Sequence, residues 1–236
     1  MPILNFISDE NLELAVRFMM NSAEEGLRKA DEEFSRNVID PFSIIFEMLS
    51  FGISTVPAWE KSEKARQTQK SLGQALGDFH QMVLGSVEGW INLGVGNNVD
   101  LHCPQRNIIA EVKNKHNTVT GAKLVGVYDD LERLVMPNAS IYRGYTAYYV
   151  EIIPKSNRGY DVEFRPSDRA TSSKRPANPN IRKIDGKRFY SLVTEEHNAL
   201  ELLYDALPTI ISDMSRTNFS EEDVARMKSY FMDAFQ

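Results

Sequence analysis

Two acidic residues and one lysine have the types and spacing that suit metal-assisted chemistry. Glu111 and Lys113 are two apart in the strand-like stretch NIIAEVKN, so their side chains leave the same face of a strand. Val112 points the other way, into the core, and its backbone carbonyl is available as a further oxygen ligand. A hairpin that turns near Gln105 pairs Asp100 with residue 110 or 111. The pattern predicts two carboxylates that meet at one divalent cation, with an amine beside them.

Phosphodiester hydrolysis is the reaction that these groups fit best. It requires a hard divalent cation held by oxygen ligands, with room for waters and a phosphate oxygen. The cation acidifies a bound water and offsets charge on the transition state, and an ammonium such as Lys113 stabilises that charge or orients the water. The alternative is that Glu111 and Lys113 are a surface ion pair. The register of Asp100, the polar stretch NKHNT and a distant basic segment favour the catalytic interpretation.

Polar residues directly after Lys113 form a candidate phosphate-binding group. They lie where a strand is predicted to end and a helix to begin, and the free backbone N–H groups of a helix N-terminus suit a phosphate. We expect contacts to a phosphate backbone from Lys115, His116, Asn117, Thr118, Thr120 and Lys123. For His116, a hydrogen bond to backbone or phosphate is the favoured role, and a role as metal ligand or base is the alternative.

The charge distribution favours a polyanionic partner in spite of a net charge of −6. The segment from Arg165 to Arg188 carries +6, so the remainder carries −12, and such a basic stretch can bind a polyanion at one face. A solvated loop with incidental charge is the alternative. Arginine and lysine can read guanine and aspartate can read cytosine, but phosphate contacts use the same basic residue types. The candidates for DNA contact are Lys174, Arg175, Arg182, Lys183, Asp185, Lys187 and Arg188.

The spacing of apolar residues changes along the chain between that of a helix and that of a strand, and so predicts the elements that position these residues. Helices are predicted from Asp9, from about Ala58, from Thr118 to before Pro137, from Thr194 with an interruption at Pro208, and from Ser220. Strands are predicted at 99–101, 107–112, 145–153 and 189–193, with a long proline-containing loop before the last. This order predicts an α/β or α+β fold, in which one central mixed β-sheet is flanked by helices.

The length and composition are those of an ordinary globular protein, and 236 residues can form one domain. Within that domain, 1–236, we expect a mainly helical part at 1–90, a catalytic core at 91–155, a basic DNA-contacting segment at 156–190, and a C-terminal strand and helices at 191–236. The apolar stretch from Phe42 to Ile53 is too short to span a bilayer and predicts a core segment and no membrane partner. The absence of a signal-peptide pattern and the single Cys103 favour the cytoplasm.

The sequence resembles a known group of nucleases. Asp100, ten intervening residues, Glu111-Val112-Lys113, and then a helix and a strand are similar to the PD-(D/E)xK nuclease superfamily. More narrowly, the strings GQALGDFHQ, EVKNKHNT and IDGKRFYSLVT resemble type II restriction endonucleases, especially the subgroup that cuts GGNCC sites. The resemblance covers roughly residues 70 to 205. Val99 stands where the motif has proline, a position that varies in the superfamily.

The resemblance implies a nuclease core that hydrolyses double-stranded DNA with one or two Mg²⁺ ions in each active site. Asp100 and Glu111 would be the metal carboxylates, with the Val112 carbonyl as a further ligand, and Lys113 would position or activate the attacking water. Many members add a group from an upstream helix, for which the candidates are Gln74, Asp78, Gln81 and Glu88, with Asp78 or Glu88 as the further metal ligand. A palindromic site implies a homodimer and a cognate DNA methyltransferase, which protects the host DNA and need not bind this chain.

Two other functions stay open on the residues alone. One is a repair or junction-resolving nuclease with the same core. The other is a non-catalytic DNA-binding protein in which Glu111 and Lys113 form a surface ion pair.

Overall fold

A computed structural model describes residues 2–235 and contains seven α-helices and eight β-strands within that range. The helices are α1 (Asp9–Glu32), α2 (Pro41–Phe51), α3 (Val56–Gly85), α4 (Gly121–Val135), α5 (Gly186–Thr194), α6 (Ala199–Met214) and α7 (Glu221–Phe235). The strands are β1 (Ile91–Asn92), β2 (Leu101–Cys103), β3 (Ile108–Lys115), β4 (Thr146–Ile153), β5 (Asp161–Glu163), β6 (Ser167–Asp168), β7 (Ser173–Lys174) and β8 (Ile181–Asp185). The chain divides into two compact units, Arg17–Asp78 and the remainder, so the expectation of one domain stays a prediction.

Six strands of the larger unit form one mixed sheet in the order β1-β2-β3-β4-β8-β5. Strands β3, β4 and β8 run parallel, while β2 and β5 pair antiparallel with the two sides of this group. Helix α4 connects β3 to β4, because two parallel neighbours need a crossover between them. The predicted fold class, a mixed central sheet flanked by helices, is confirmed.

The central strands are buried on both faces, as their nearly continuous apolar sequences indicate. Six consecutive residues of β4 are buried. On one face, a core formed with α4 contains Ile109, Tyr128, Leu131, Val135, Ala147, Tyr149 and Ile181. On the other face, the ring of Phe189 in α5 packs against the rings of Trp90 and Tyr148, at centroid distances of 5.8 Å. The sheet is therefore a rigid layer from which polar side chains can be presented at fixed spacing.

The prediction of a strand at 189–193 is wrong, because this segment belongs to helix α5. The strand β8 comes directly before that helix. Phe189, Tyr190 and Val193 are buried on one face of the helix at helical spacing. Asp185 caps the helix, since its Oδ1 accepts a hydrogen bond from the Arg188 backbone N–H at 3.1 Å. A short apolar run fits the period of a helix as well as that of a strand, and here the N-cap residue Asp185 stabilises the helix.

Two further predictions about the second half of the chain are also wrong. The segment between Pro154 and β8 contains regular structure, because β5 pairs with β8 while β6 and β7 form a separate hairpin. Helix α6 continues through Pro208 instead of being interrupted there. A proline inside a helix removes one backbone hydrogen bond, and burial of Leu203 and Ile210 on the same helix offsets this loss.

The prediction that the stretch from Phe42 to Ile53 is a core segment is wrong, because none of the eleven residues of α2 is buried. The sequence correctly shows an apolar element, but apolar composition does not distinguish a core segment from an exposed apolar surface. No single helix within residues 2–235 is long and apolar enough to cross a bilayer. Helices α2 and α3 pass that test of length and composition only as a pair, and they are bent by 96° relative to each other.

His80 and Tyr190 form a buried polar pair whose titration is coupled to folding. The His80 Nδ1 and the Tyr190 hydroxyl share a hydrogen bond of 2.7 Å, and both side chains are buried. Burial lowers the pKa of His80 from 6.5 to about 4. Between pH 6.5 and about pH 4 the unfolded chain binds more protons than the folded one, so the free energy of unfolding falls as the pH drops.

We predict that the titration of His80 lowers the free energy of unfolding by about 3 kcal/mol as the pH falls from 7 to 4, with little further loss below pH 4. The measurement is urea unfolding at a series of pH values for the wild type and for the double variant His80→Phe/Tyr190→Phe, which leaves no orphaned hydroxyl. Carboxyl groups elsewhere titrate in both proteins, so the difference isolates the histidine. Identical pH dependence of the two proteins would contradict the prediction.

Candidate active site

The hairpin of β2 and β3 holds Asp100 beside the part of β3 that contains Glu111. Leu101 is paired with Ala110, which is the register expected from a turn near residue 105. The paired positions end there, and continuation of this register by one position would put Asp100 opposite Glu111, on the same face of the sheet. The Asp100 backbone N–H donates to the Ala110 carbonyl at 3.0 Å, so Asp100 is attached to β3 although β2 begins one residue later.

The carboxylate of Asp100 is held by the backbone of the neighbouring strand. Its Oδ2 accepts a hydrogen bond of 2.7 Å from the Val112 N–H. Because the N–H and C=O groups of one strand residue point toward the same neighbour, the Val112 carbonyl also faces the side on which Asp100 lies. The Val112 side chain is buried, as expected from the strand pattern. The Asp100 carboxylate and the Val112 carbonyl thus lie on the same side of β3.

Lys113 completes this group on the same face of the sheet. Its Nζ lies 2.6 Å from Oε1 of Glu111, and the two side chains are 28% and 20% exposed. Partial burial makes such a pair stronger than one in open water. Among residues 2–235, no group of three or more His, Cys, Asp or Glu side chains is arranged to hold a metal ion. A cation bound by Asp100 and Glu111 would therefore need backbone or water oxygens as well.

A second ion pair, which the sequence reasoning did not find, lies beside this group. Glu151 of β4 is opposite Lys113 and is only 1% exposed. Its Oε1 is 2.8 Å from the Nζ of Lys183, and its other oxygen accepts a hydrogen bond from the Tyr160 hydroxyl. The signal in the sequence is the single acid inside the apolar run YTAYYVEII, because a charge at such a position is costly unless it is paired.

Two tyrosine rings complete the surroundings of the Lys183 ammonium. It lies 5.9 Å from the ring centre of Tyr149 and 5.3 Å from that of Tyr160, within the range of cation–π attraction. Burial, together with the nearby carboxylates, raises the pKa of both tyrosines, so both hydroxyls stay protonated. Tyr149 is opposite Glu111, and its hydroxyl is buried with no hydrogen-bond partner in the described part of the chain. Ordered water or a ligand usually satisfies such a group.

Comparison with known proteins assigns this arrangement to a family. The sequence matches the family described as Eco47II restriction endonuclease over residues 4–216. The chain belongs to this family. It is 43% identical over 236 residues to the type II restriction enzyme Eco47II of Escherichia coli, with 98% of each chain covered. It is 33% identical over 220 residues to the type II restriction enzyme Sau96I of Staphylococcus aureus, with 91% of this chain and 82% of that one covered.

The predicted type II restriction endonuclease is therefore confirmed. The two alternatives, a repair or junction-resolving nuclease and a non-catalytic DNA-binding protein, are set aside by the same finding. The family generally uses a divalent metal ion and acts on DNA, and the carboxylates of Asp100 and Glu111 fit such an ion by their chemistry. The roles of individual residues stay predictions.

The polar residues after Lys113 lie on the surface of the restriction enzyme at the start of α4. The exposed members of the group are Lys115, Asn117, Thr118, Thr120 and Lys123. The His116 backbone N–H donates to the Ile153 carbonyl at 3.0 Å, which continues the attachment of β3 to β4. The Nδ1 atom of His116 is buried and lacks a hydrogen-bond partner in residues 2–235. The exposed side chains are accessible to a phosphate backbone at this helix N-terminus.

The basic segment of the restriction enzyme is partly neutralised by acids of the same chain. Ion pairs join Arg175 to Asp129 and Asp168, Arg182 to Asp161, Lys183 to Glu151, and Arg188 to Asp185. Lys174 lies exposed on the β6–β7 hairpin, and Lys187 is partly exposed at the start of α5. The accessible positive charge is therefore smaller than the sequence indicates.

The structure contradicts the prediction that Asp185 contacts DNA. Its side chain is 1% exposed, and its oxygens accept hydrogen bonds from the backbone N–H groups of Tyr160 and Arg188 and from the Arg188 guanidinium. A carboxylate that is buried and already hydrogen-bonded cannot accept from a cytosine without leaving this network. We assign it to positioning β5, β8 and α5 rather than to reading bases.

The upstream-helix candidates fall in different parts of the restriction enzyme. Gln74 and Asp78 belong to the smaller unit, whereas Gln81 and Glu88 belong to the unit that contains the sheet. Glu88 lines a cavity of about 560 Å³ together with Gln105 at the hairpin turn. Asp100 and Glu111 lie just beyond the pair Leu101–Ala110, at the other end of that hairpin.

We predict that Lys183→Met lowers the free energy of unfolding by about 3–5 kcal/mol, because Glu151 is left buried with an unpaired charge. Glu151→Gln should cost less, since Lys183 is 28% exposed and can still reach water. The double variant should recover part of the loss, and urea unfolding of all four proteins measures the coupling. The control is Lys174→Met, an exposed position at which a change within about 0.5 kcal/mol is expected. Additive effects in the double variant would show that the pair is not coupled.

Proposed function

We propose that this restriction enzyme cleaves both strands of double-stranded DNA at a short, palindromic, G/C-rich site of the GGNCC type, with Mg²⁺ as its cofactor. One observation carries the chemistry. Asp100 directly precedes the pair Leu101–Ala110 and accepts a hydrogen bond from the Val112 N–H, while the Lys113 ammonium lies 2.6 Å from Glu111 on the same strand as Val112. The family match supports the specificity class, since both relatives are named as type II restriction enzymes.

The donor set supports a hard cation. Asp100, Glu111 and the carbonyl of Val112 offer only oxygen atoms, which are the ligands that Mg²⁺ prefers, and a Mg²⁺ site keeps several waters. When bound, the ion supplies a more acidic water and offsets charge on the phosphate. One or two ions in each site are compatible with this set, and Asp78 or Glu88 stays the candidate for a further ligand.

Each residue then has a separate role in the reaction. The Val112 N–H holds the Asp100 carboxylate against β3 through its hydrogen bond of 2.7 Å, next to the position of Glu111. Lys113 donates hydrogen bonds to the attacking water or to a non-bridging phosphate oxygen, and its positive charge is present before charge develops on the phosphate. The neighbouring Glu151 and Lys183 neutralise each other, so Lys113 has no unpaired carboxylate on that side to compete with Glu111.

DNA contact is proposed at two surfaces. At the start of α4, Lys115, Asn117, Thr118, Thr120 and Lys123 are exposed and would bind the phosphate backbone together with His116. In the basic segment, Lys174 and Lys187 are accessible, and Arg175, Arg182, Lys183 and Arg188 would have to exchange an internal ion pair for a contact with DNA. Reading of bases would be assigned first to side chains that are already accessible.

A palindromic site is read most simply by a protein with two-fold symmetry. We therefore propose that the enzyme acts as a homodimer, in the cytoplasm, where the DNA lies. A cognate methyltransferase would protect the host DNA at the same sites and need not bind this chain.

The direct test is digestion of a plasmid with mapped GGNCC sites in the presence of Mg²⁺, followed by sequencing of the ends. We predict cleavage at those sites, loss of cleavage in EDTA and recovery when Mg²⁺ is added back. Ends that map to branched or non-palindromic sequences would contradict the proposed specificity.

We predict that Asp100→Ala, Glu111→Ala and Lys113→Ala each slow cleavage at least about 100-fold while DNA binding in a gel-shift assay largely survives. The matched control is Glu222→Ala, which removes a carboxylate from the exposed first turn of α7. Any of the three variants that keeps more than about a tenth of the wild-type rate would remove its residue from the proposed machinery.

A further inference from the structure

Helix α2 presents a continuous apolar face to solvent. Phe42, Ile45, Phe46 and Leu49 recur at the spacing of one helix face, and their exposed fractions are 72, 65, 65 and 77%. The opposite face is partly covered and includes Glu47, which accepts a hydrogen bond of 2.8 Å from the Trp59 indole N–H. The continuous exposed apolar face is thus the side of α2 that has no charged residue.

The area of this face is large for a single chain. With ~200 Å² for a large apolar side chain, Phe42, Ile45, Phe46 and Leu49 leave on the order of 550 Å² of apolar surface in water. The largest patch on a typical monomer is ~300–600 Å², and a stable interface buries ~800 Å² on each partner. This face would therefore supply about two thirds of the surface that each chain buries in a stable dimer.

The charges around α2 favour a second copy of this chain over DNA or a membrane as the occupant. Residues 41–51 contain no lysine or arginine, and residues 31–40 contain four acids and one arginine, so the region does not attract a polyanion. Helices that lie on membranes carry lysine and arginine on their polar face, which α2 lacks. Contact between two copies of the apolar face brings no like charges together, as a two-fold interface requires.

We propose that the α2 faces of two chains pack against each other around a two-fold axis and form the dimer interface of the enzyme. This inference rests on the homodimer proposed above and names the surface that forms it. Phe46 is at the centre of α2 and lies near the axis in such a dimer.

Sedimentation velocity at a series of protein concentrations tests this interface without measuring cleavage. We expect a dimer for the wild type and for the control Ile141→Glu/Tyr230→Glu, which places two charges at exposed apolar positions outside α2. We expect Phe46→Glu/Leu49→Glu to raise the dimer dissociation constant at least about 100-fold, because each glutamate would be buried without a partner. Circular dichroism checks that each variant is folded.

A dimer that survives Phe46→Glu/Leu49→Glu would overturn the α2 interface but leave the dimeric enzyme intact, and a monomeric wild type would overturn both. Cleavage of mapped plasmid sites by the wild type is measured separately, so failure of the nuclease proposal is visible on its own.

A cysteine crosslink locates the contact. Cys103 is the only cysteine and is buried, so oxidation of Phe46→Cys should join two chains through position 46. Leu27→Cys, at an exposed apolar position on α1, is the control and should stay uncrosslinked. Absence of a Phe46→Cys crosslink, or sedimentation of the monomeric wild type with neutral phospholipid vesicles, would overturn the proposal.

Discussion

The hydrogen bond from the Val112 N–H to the Asp100 carboxylate is the interaction on which the proposed active site depends. It joins the residue before β2 to the middle of β3, between the two positions that carry Glu111 and Lys113. Without it, the Asp100 backbone would stay attached to β3 through its own N–H, but the carboxylate could turn away from the sheet. With it, the carboxylate is fixed by the same β pairing that builds the fold, so the geometry needed for metal binding costs little additional ordering when DNA binds.

The sheet also limits where charge can be placed. The face that holds Glu111, Lys113 and Glu151 is continuous with the apolar core under α4, so an unpaired charge there would be poorly solvated. Two ion pairs side by side solve this problem, one partly exposed and one with a buried acid. The acid of the first pair, Glu111, is 20% exposed and accessible to a cation, whereas Glu151 is 1% exposed, so we propose that the first pair is reactive and the second is structural.

Local patterns in the sequence predicted the parts of the protein that are determined locally. The turn after Cys103 set the hairpin register, and strand alternation placed Glu111 and Lys113 on one face. The role of Glu151 could not be predicted, because its partner Lys183 is distant in the sequence and meets it only through the order of the parallel strands. Helix α2 shows the same limit, since its hydrophobicity is readable but its exposure depends on what packs against it.

The most direct measurement of the central claim is binding of Mn²⁺, as a spectroscopic substitute for Mg²⁺, to the enzyme with a short GGNCC duplex. Electron paramagnetic resonance reports free Mn²⁺ and requires no cleavage. We expect the wild type to bind the ion, and we expect Asp100→Asn and Glu111→Gln each to weaken binding at least about tenfold through loss of a charged ligand. Equal Mn²⁺ affinity in the wild type and in both variants would contradict a cation shared by these two carboxylates.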